Sequence, residues 1–375
     1  MGILSTLGWD QFEENIWAQA RKHCTPATAT FELTPLCNFR CRMCYVRLDP
    51  DKLSEHGRLH SADEWLDVAR QAMEMGLYRV SLTGGEILTH PEFEKIYIGL
   101  HEMGLIVSLL TNGSLVNDRL VELFKQYPPR NIRITLYGAS NETYHRLCGA
   151  PRGFDQVMKS VRMLKQAGIS VTFAFTETTE NIDDLPRVID IAKEFDTRIE
   201  IATELSPAVR GASSEAECLR VSKTSSVDIS EIVEEQKRPS MSEIAARFHA
   251  PELLEGPFAT CRLYRTFFFI DWNGLMETCS LMSYCQSRPF EIGFEAAWRD
   301  MHEKLSRLQV PHACTKCTYL PFCSACPGKR QAETGTPDGI PSRCCEDARE
   351  RYTLSCGFSV TKRGGEQDEE ELHDA

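Results

Sequence analysis

Cys37-Asn38-Phe39-Arg40-Cys41-Arg42-Met43-Cys44-Tyr45 decides the reading of this chain: three cysteines at C-x3-C-x2-C spacing, with an aromatic residue directly after the last. The run follows the partly apolar segment Ala27–Thr34, which reads as a strand. Three thiolates within eight residues can hold three corners of a cubane iron–sulfur cluster and leave the fourth iron without a protein ligand. An open iron of that kind accepts a small molecule through an amine and a carboxylate. Zinc is the other occupant to weigh, but structural zinc takes four ligands, usually as two close pairs rather than three thiols in one tight loop.

Downstream of the loop, short apolar runs alternate with amphipathic ones. Arg79–Thr83, Ile106–Thr111, Asn131–Leu136, Ser170–Phe175 and Arg198–Thr203 read as strands, with helices near 61–75, 91–103, 115–126, 153–167 and 182–195. Two of those helices end in the glycine stops Met75-Gly76 and Ala167-Gly168. With the strand before the cysteines this makes six β-α units, provided the stretch after Pro207 supplies the last helix. The fold class expected is α/β: a parallel sheet with crossover helices, forming a partial (β/α)6 barrel of the TIM type with a cysteine-rich domain after it. A barrel left open on one side admits a large substrate such as a peptide.

In such a barrel the chemistry sits at the carboxyl ends of the strands. Thr83-Gly84-Gly85-Glu86 ends the second strand, Thr111-Asn112-Gly113 the third, and Thr135-Leu136-Tyr137-Gly138 with Ser140 the fourth. Two adjacent glycines let a backbone approach a neighbour closely, and the acid after them can accept from an ammonium group. Taken alone, Gly-Gly-Glu is an ordinary strand-to-loop turn; one β-α unit after a cysteine loop it gains meaning.

The cysteine run, its aromatic and the Gly-Gly-Glu strand end together resemble the radical SAM superfamily. The resemblance implies that Cys37, Cys41 and Cys44 hold a [4Fe-4S] cluster that binds S-adenosylmethionine (SAM), with Tyr45 near the adenine. It implies that Gly84, Gly85 and Glu86 contact the methionine amino group, and that Thr111, Asn112, Thr135 and Ser140 hydrogen-bond the ribose and carboxylate. Arg152 is a candidate bidentate partner for that carboxylate; a solvent-facing loop arginine is the plainer reading. The chemistry implied is one-electron cleavage of SAM to a 5′-deoxyadenosyl radical, which takes hydrogen from an unactivated carbon, the electron coming from a donor such as flavodoxin or ferredoxin.

A second cysteine array lies near the carboxyl terminus. Cys261 is followed by Gly274-x4-Cys279, then Cys314-x2-Cys317, Cys323, Cys326 and the pair Cys344-Cys345. Two C-x2-C pairs at this distance also suit a structural zinc ribbon. Downstream of an open-cluster loop the array resembles the SPASM domain of peptide- and protein-modifying maturases, which implies two auxiliary [4Fe-4S] clusters. On that resemblance Cys314, Cys317, Cys323 and Cys344 hold the outer one, with Cys345 as the alternative to Cys344. Cys261, Cys279 and Cys326 hold the inner one, which is completed by Cys285 or left with an open iron. The closing C-x2-C departs from the family's usual C-x3-C at Cys326. Cys24, Cys148, Cys218 and Cys356 have no partner spacing and read as buried spectators.

Composition sets the outer bounds. A net charge of −12 leaves no basic surplus for a nucleic-acid backbone. No run is apolar for long enough to span a bilayer. Sixteen cysteines without a secretion signal point to metal ligation in a reducing compartment, hence the cytoplasm. The division expected is a helical segment at 1–26, the barrel at 27–206, a linker at 207–255, the SPASM region at 256–356 and an acidic disordered tail at 357–375. The leading function is modification of a ribosomally made peptide, by a thioether, a carbon–carbon or carbon–oxygen crosslink, or an epimerised α-carbon. The 26 residues before the first strand are too few for a leader-binding domain, so a separate leader-binding protein is one expected partner. Formylglycine maturation is an alternative, although Ser280 stands after Cys279 where those enzymes place an acid. Dehydrogenation or cleavage of a small molecule such as a carbohydrate or a porphyrin is another, and a non-catalytic iron–sulfur or zinc scaffold a third.

Overall fold

The computed structural model describes residues 9–221 and 264–360, with side chains at 15–221 and 264–353. The described chain divides into two compact units, residues 9–221 with 264–307, and residues 308–360.

The first unit is built on a parallel sheet whose strands follow one another as expected. They are β1 Thr28–Glu32, β2 Arg79–Thr83, β3 Ile106–Thr111, β4 Asn131–Thr135, β5 Val171–Thr176 and β6 Ile199–Ala202. The helices are α1 Trp9–His23, α2 Leu53–His56, α3 Ala62–Glu74, α4 Phe93–Glu102, α5 Asp118–Gln126, α6 Asn141–Cys148, α7 Gly153–Gln166 and α8 Leu185–Glu194. Local chemistry fixes their starts. Ser61 and Glu64 make a reciprocal capping box on α3, and Asn117 and Ser140 accept from backbone N–H groups one turn into α5 and α6.

Strict alternation along β2 to β5 separates the two faces of the sheet. Val80, Leu82, Val107, Leu109, Ile132, Ile134, Phe173 and Phe175 are fully buried on the face that the helices cover. Packing there is aromatic and tight: Phe31 of β1 meets Trp65 of α3 at 5.0 Å, and Tyr97 of α4 meets Phe124 of α5 at 5.4 Å. The other face carries half-buried residues that are mostly polar. Ser81 is registered beside Thr30 and Ser108, Ser108 beside Asn131, and Arg133 beside Thr172. Asn131 donates to Thr172 at 2.7 Å and Arg133 pairs with Glu200 at 3.0 Å. A closed TIM barrel fills its interior with layers of branched apolar side chains; this one presents a polar inner face.

The sheet does not stop at six strands. β7 Phe267–Ile270 pairs in parallel with the free edge of β1, and β8 Met276–Glu277 returns antiparallel, giving the order β6-β5-β4-β3-β2-β1-β7-β8. An unpaired, buried β1 edge leaves a row of N–H and C=O groups to satisfy, and the apolar Phe-Phe-Phe-Ile run does so. Residues 264–307 therefore fold with the barrel, including a helix at Phe294–Ser306, whereas the sequence places the division at 256. Residues 207–221 form turns, and the rest of the stretch expected to supply the sixth crossover helix, with Cys261 and residues 361–375 of the acidic tail, lies outside the described residues.

The second unit has helices at His312–Thr315, Pro327–Thr334 and Ser342–Val360. Tyr352 packs edge-on to Tyr319 at 5.4 Å and to Phe322 at 5.6 Å, and Arg351 donates to the Phe322 carbonyl. Among the described residues no helix is long and apolar enough to cross a membrane.

Candidate active site

The cysteine loop leaves the end of β1 and is fastened at once to the end of β2. Leu33 N–H donates to Thr83 O at 2.8 Å, Gly85 N–H to Thr34 O at 2.6 Å and Glu86 N–H to Leu36 O at 2.8 Å. This contact explains the two glycines. A Cβ on Gly84 would stand 2.6 Å from Thr34 O, and one on Gly85 2.4 Å from Leu36 O. Their immediate neighbour is the backbone that leads into Cys37.

Glu86 is fully buried and spends both carboxylate oxygens within the chain. Oε1 accepts from Thr111 Oγ1 at 2.7 Å and Leu88 N–H at 3.1 Å, and Oε2 accepts from Asn112 N–H at 2.7 Å. Burial raises its carboxyl above the usual range while these three donors pull it down. Glu86 thus ties the end of β2 to the end of β3. Asn112 carries the tie onward. Its Nδ2 lies 3.7 Å from Cys37 Sγ and donates to Asn38 Oδ1 at 2.9 Å, while its own oxygen accepts from Ser114.

Beyond Cys37 the loop docks against α6. Arg40 N–H donates to Cys148 O at 2.8 Å and Arg42 N–H to Leu147 O at 2.9 Å. Phe39 is buried edge-on to both Tyr137 and Tyr144, each ring centroid 6.2 Å away. Tyr137 and Cys148 lie beside Cys41, Cys148 raising its thiol and Tyr137 lowering it. Cys148 is buried, as its sequence suggested, but it touches the loop. Arg42 anchors the outer side, pairing with Glu180 and Glu215, and Arg146 of α6 shares Glu180.

Tyr45 packs with Val46, Leu48 and Trp272, and its carbonyl accepts from Val209 N–H. One residue on, Arg210 donates to both oxygens of Glu32, at 3.0 and 2.8 Å, with its Nε 3.7 Å from Asp271 Oδ2. Glu32 and Asp271 stand at the carboxyl ends of neighbouring strands, and Glu277 of β8 lies nearby. All three acids are fully buried. Burial, with too little positive charge to offset it, raises Glu32 to about 8 and Glu277 to about 7. Spacing in the sequence gives no sign of this cluster.

The three loop thiols are half-buried and sense one another. Burial, against a bond from Phe39 N–H, pushes Cys37 up to about 12, and Cys41 and Cys44 are raised as well. Among the described residues no three Cys, His, Asp or Glu side chains converge as ligands of a single ion. A cubane asks for something else, since each thiolate takes its own iron and the sulfurs stay apart. A desolvated trio of thiols on one braced loop fits such a group, and its binding would release their protons.

The remaining expected SAM contacts divide. Thr135 lies half-buried on the inner face. Ser140 is occupied as the α6 cap, accepting from Thr143 N–H at 3.1 Å. Thr111 is committed to Glu86 and Gly113. Arg152 is exposed at the start of α7.

In the second unit, Cys314, Cys317, Cys323 and Cys345 line one cavity of about 60 Å³ with Tyr319 and Arg330. Cys345 takes the fourth place there, and Cys344 is buried on the same helix outside the lining. Adjacent helical residues point about 100° apart, so only one can face the cavity. Cys279 and Cys326 are half-buried, each within its own unit. Cys285 is fully buried, its thiol donating to Met282 O at 3.7 Å, and burial raises it to about 11.

Comparison with known proteins agrees with this architecture. Residues 31–192 match the Radical SAM superfamily. The AdoMet-dependent heme synthase of Methanosarcina barkeri (strain Fusaro / DSM 804) is 24% identical over 333 residues, covering 83% of this chain and 93% of that protein. The antilisterial bacteriocin subtilosin biosynthesis protein AlbA of Bacillus subtilis (strain 168) is 31% identical over 158 residues, 42% of this chain and 34% of AlbA. In fold, Streptococcus suis SuiB bound to S-adenosylmethionine superposes with a TM-score of 0.66 at 17% identity, over 91% of this chain and 84% of SuiB.

Proposed function

We propose that the chain is a radical SAM enzyme, on the match of residues 31–192 to that superfamily, and that it modifies a peptide by abstracting hydrogen from one of its carbons. Cys37, Cys41 and Cys44 would hold the [4Fe-4S] cluster, and Tyr45, Gly84, Gly85, Thr135 and Asn112 are the residues that would contact SAM. When bound, that pair supplies a carbon radical able to remove hydrogen from an unactivated C–H bond.

The chain's own residues do the placing. Glu86, Thr111 and Asn112 fix the height of the loop over β2 and β3, and Arg42 with Glu180 and Glu215 holds its outer edge. The aromatic pack of Phe39, Tyr137 and Tyr144 keeps water from its underside. Effective abstraction needs the substrate carbon in near contact with the reactive one, and such bracing holds the reactive end still while the substrate is brought to it.

The observation that carries the peptide reading is the polar inner face of the open sheet, which offers hydrogen-bonding groups along an extended chain. AlbA is named for subtilosin biosynthesis, and SuiB has been solved with its precursor peptide SuiA. A second reading, oxidation of a tetrapyrrole, has the long match to the heme synthase in its favour.

The second unit holds an auxiliary cluster on Cys314, Cys317, Cys323 and Cys345. A flavodoxin or ferredoxin supplies the electron.

The test is anaerobic reconstitution followed by reduction. The parent is expected to form 5′-deoxyadenosine and Cys41→Ala to form none. Faster formation with peptides encoded beside the gene than with an iron porphyrin supports the peptide reading; the reverse order overturns it. Zinc content without SAM cleavage overturns the enzyme assignment of the loop.

A further inference from the structure

We propose that Arg330 raises the reduction potential of the cluster in the four-cysteine cavity of the second unit, making that cluster easier to reduce. The inference rests on the reading that Cys314, Cys317, Cys323 and Cys345 hold a cluster.

Arg330 is only 5% exposed and lines the cavity. Both terminal nitrogens, Nη1 and Nη2, lie 3.4 Å from Cys314 Sγ, and Nη1 also donates to Gly339 O at 2.8 Å. The position is fixed by the helix Pro327–Thr334, where Arg330 N–H donates to Cys326 O at 2.9 Å in the first turn. Among the described residues the guanidinium's partners are Cys314 Sγ and the Gly339 carbonyl, neither of them a carboxylate.

A guanidinium cannot shed its charge, and a buried charge needs a partner. One sulfur and one carbonyl are poor counterions. Four thiolates around a cluster carry net negative charge, so the cavity's occupant completes a pairing that the protein leaves half made. The fork of two N–H groups on one sulfur is the form of contact that tunes such centres, since hydrogen bonds to cluster sulfurs and local charge set the potential. Positive charge stabilises the more negative, reduced state. Four protein thiols also leave no iron in this cavity for a substrate atom, which suits a site that takes up an electron.

The experiment uses full-length protein with Cys37, Cys41 and Cys44 all changed to Ala, so that only auxiliary clusters remain. Arg330→Gln and Arg330→Lys are compared in that background by iron content and by redox titration followed with electron paramagnetic resonance. Arg330→Gln is expected to load the same iron and to lose at least tenfold in the one-electron reduction equilibrium, about 59 mV. Arg330→Lys, which keeps the charge without the fork, should fall by less. Full iron with an unchanged midpoint in Arg330→Gln overturns the proposal. Should Arg330→Gln fail to load, pulsed resonance on unaltered Arg330 with isotope-labelled arginine nitrogen decides. Nitrogen coupling to the reduced cluster supports the proposal and its absence overturns it. A background protein without any cluster signal overturns the cluster reading itself, a separate outcome.

Discussion

Replacing Glu32 with Gln should stabilise the barrel unit, increasingly so as pH rises. Removing one partner of a buried ion pair ordinarily costs about 3–5 kcal/mol, but here three buried carboxylates compete for Arg210. Burial lifts the Glu32 carboxyl from 4.5 to about 8 and Glu277 from 4.5 to about 7. Between about pH 5 and 7 the native state therefore binds more protons than the unfolded chain. The stability tied to these groups is complete below their ordinary range and is lost as pH climbs through their raised values. Each contributes a slope of at most about 1.4 kcal/mol per pH unit, so the pair gives between about 2 and 3 kcal/mol per pH unit near pH 6. Glu32→Gln copies the neutral acid in shape and removes one of the two titrations. The slope should fall by about half, with a gain on the order of 2 kcal/mol at pH 6 and about 4 kcal/mol at pH 8. Arg210 keeps an acceptor in the new amide oxygen and can close on Asp271. Urea unfolding of the apo protein, followed by tryptophan fluorescence at several pH values, measures this. All five tryptophans lie before residue 308, so the signal reports the barrel unit. A loss of 3–5 kcal/mol at every pH, with the slope intact, refutes the argument and means that Glu32 is ionised throughout.

Gly85→Ala should lower iron loading of the first unit and cut 5′-deoxyadenosine formation at least tenfold, because the added Cβ would lie 2.4 Å from Leu36 O; full loading with parental turnover counts against the brace. Cys345→Ser should lose one cluster's worth of iron while Cys344→Ser keeps it, as read by iron analysis and absorbance; the opposite result returns Cys344 to the ligand set. Ser140→Ala should cost about 1 kcal/mol as a lost helix cap and leave the KM for SAM unchanged; a raised KM with unchanged stability makes Ser140 a ligand contact after all.

Much of the barrel is legible because its strands announce themselves in pairs of periods. Arg79-Val-Ser-Leu-Thr83 and Asn131-Ile-Arg-Ile-Thr135 alternate, and the helices between them end in glycine or begin at Ser61, Asn117 or Ser140. β7 is not legible in this way. Its partner β1 lies more than 200 residues upstream, and no local pattern tells Phe267–Ile270 from the start of a new domain. The eight-residue α6 is short enough to pass for a loop. Glu86 is a case of correct recognition and incomplete role. The motif marks the strand end, but only the positions of Thr111 and Asn112 reveal that the carboxylate is already taken. Cys344 and Cys345 differ only in helical phase, which spacing between cysteines does not encode.

The sheet's inner face brings these points together. Parallel strands covered on both faces are apolar throughout, whereas β2 to β5 bury only every second residue. Stability is therefore drawn from one face, where Phe31, Trp65, Tyr97 and Phe124 pack, and the other is left for work. A polar face turned to an open interior carries a cost only if its groups lack partners. Here Asn131 finds Thr172 on the neighbouring strand, and Arg133 of β4 reaches past β5 to Glu200 of β6. Such pairs can be exchanged for bonds to an extended backbone at little net change, because one hydrogen bond replaces another. The cysteine loop above them is the opposite case. Its braces run through the buried oxygens of Glu86 and the backbone carbonyls of Thr34 and Leu36, where no exchange with a ligand is open. A fixed reactive end over an adaptable inner face is what hydrogen abstraction from a long, variable chain requires.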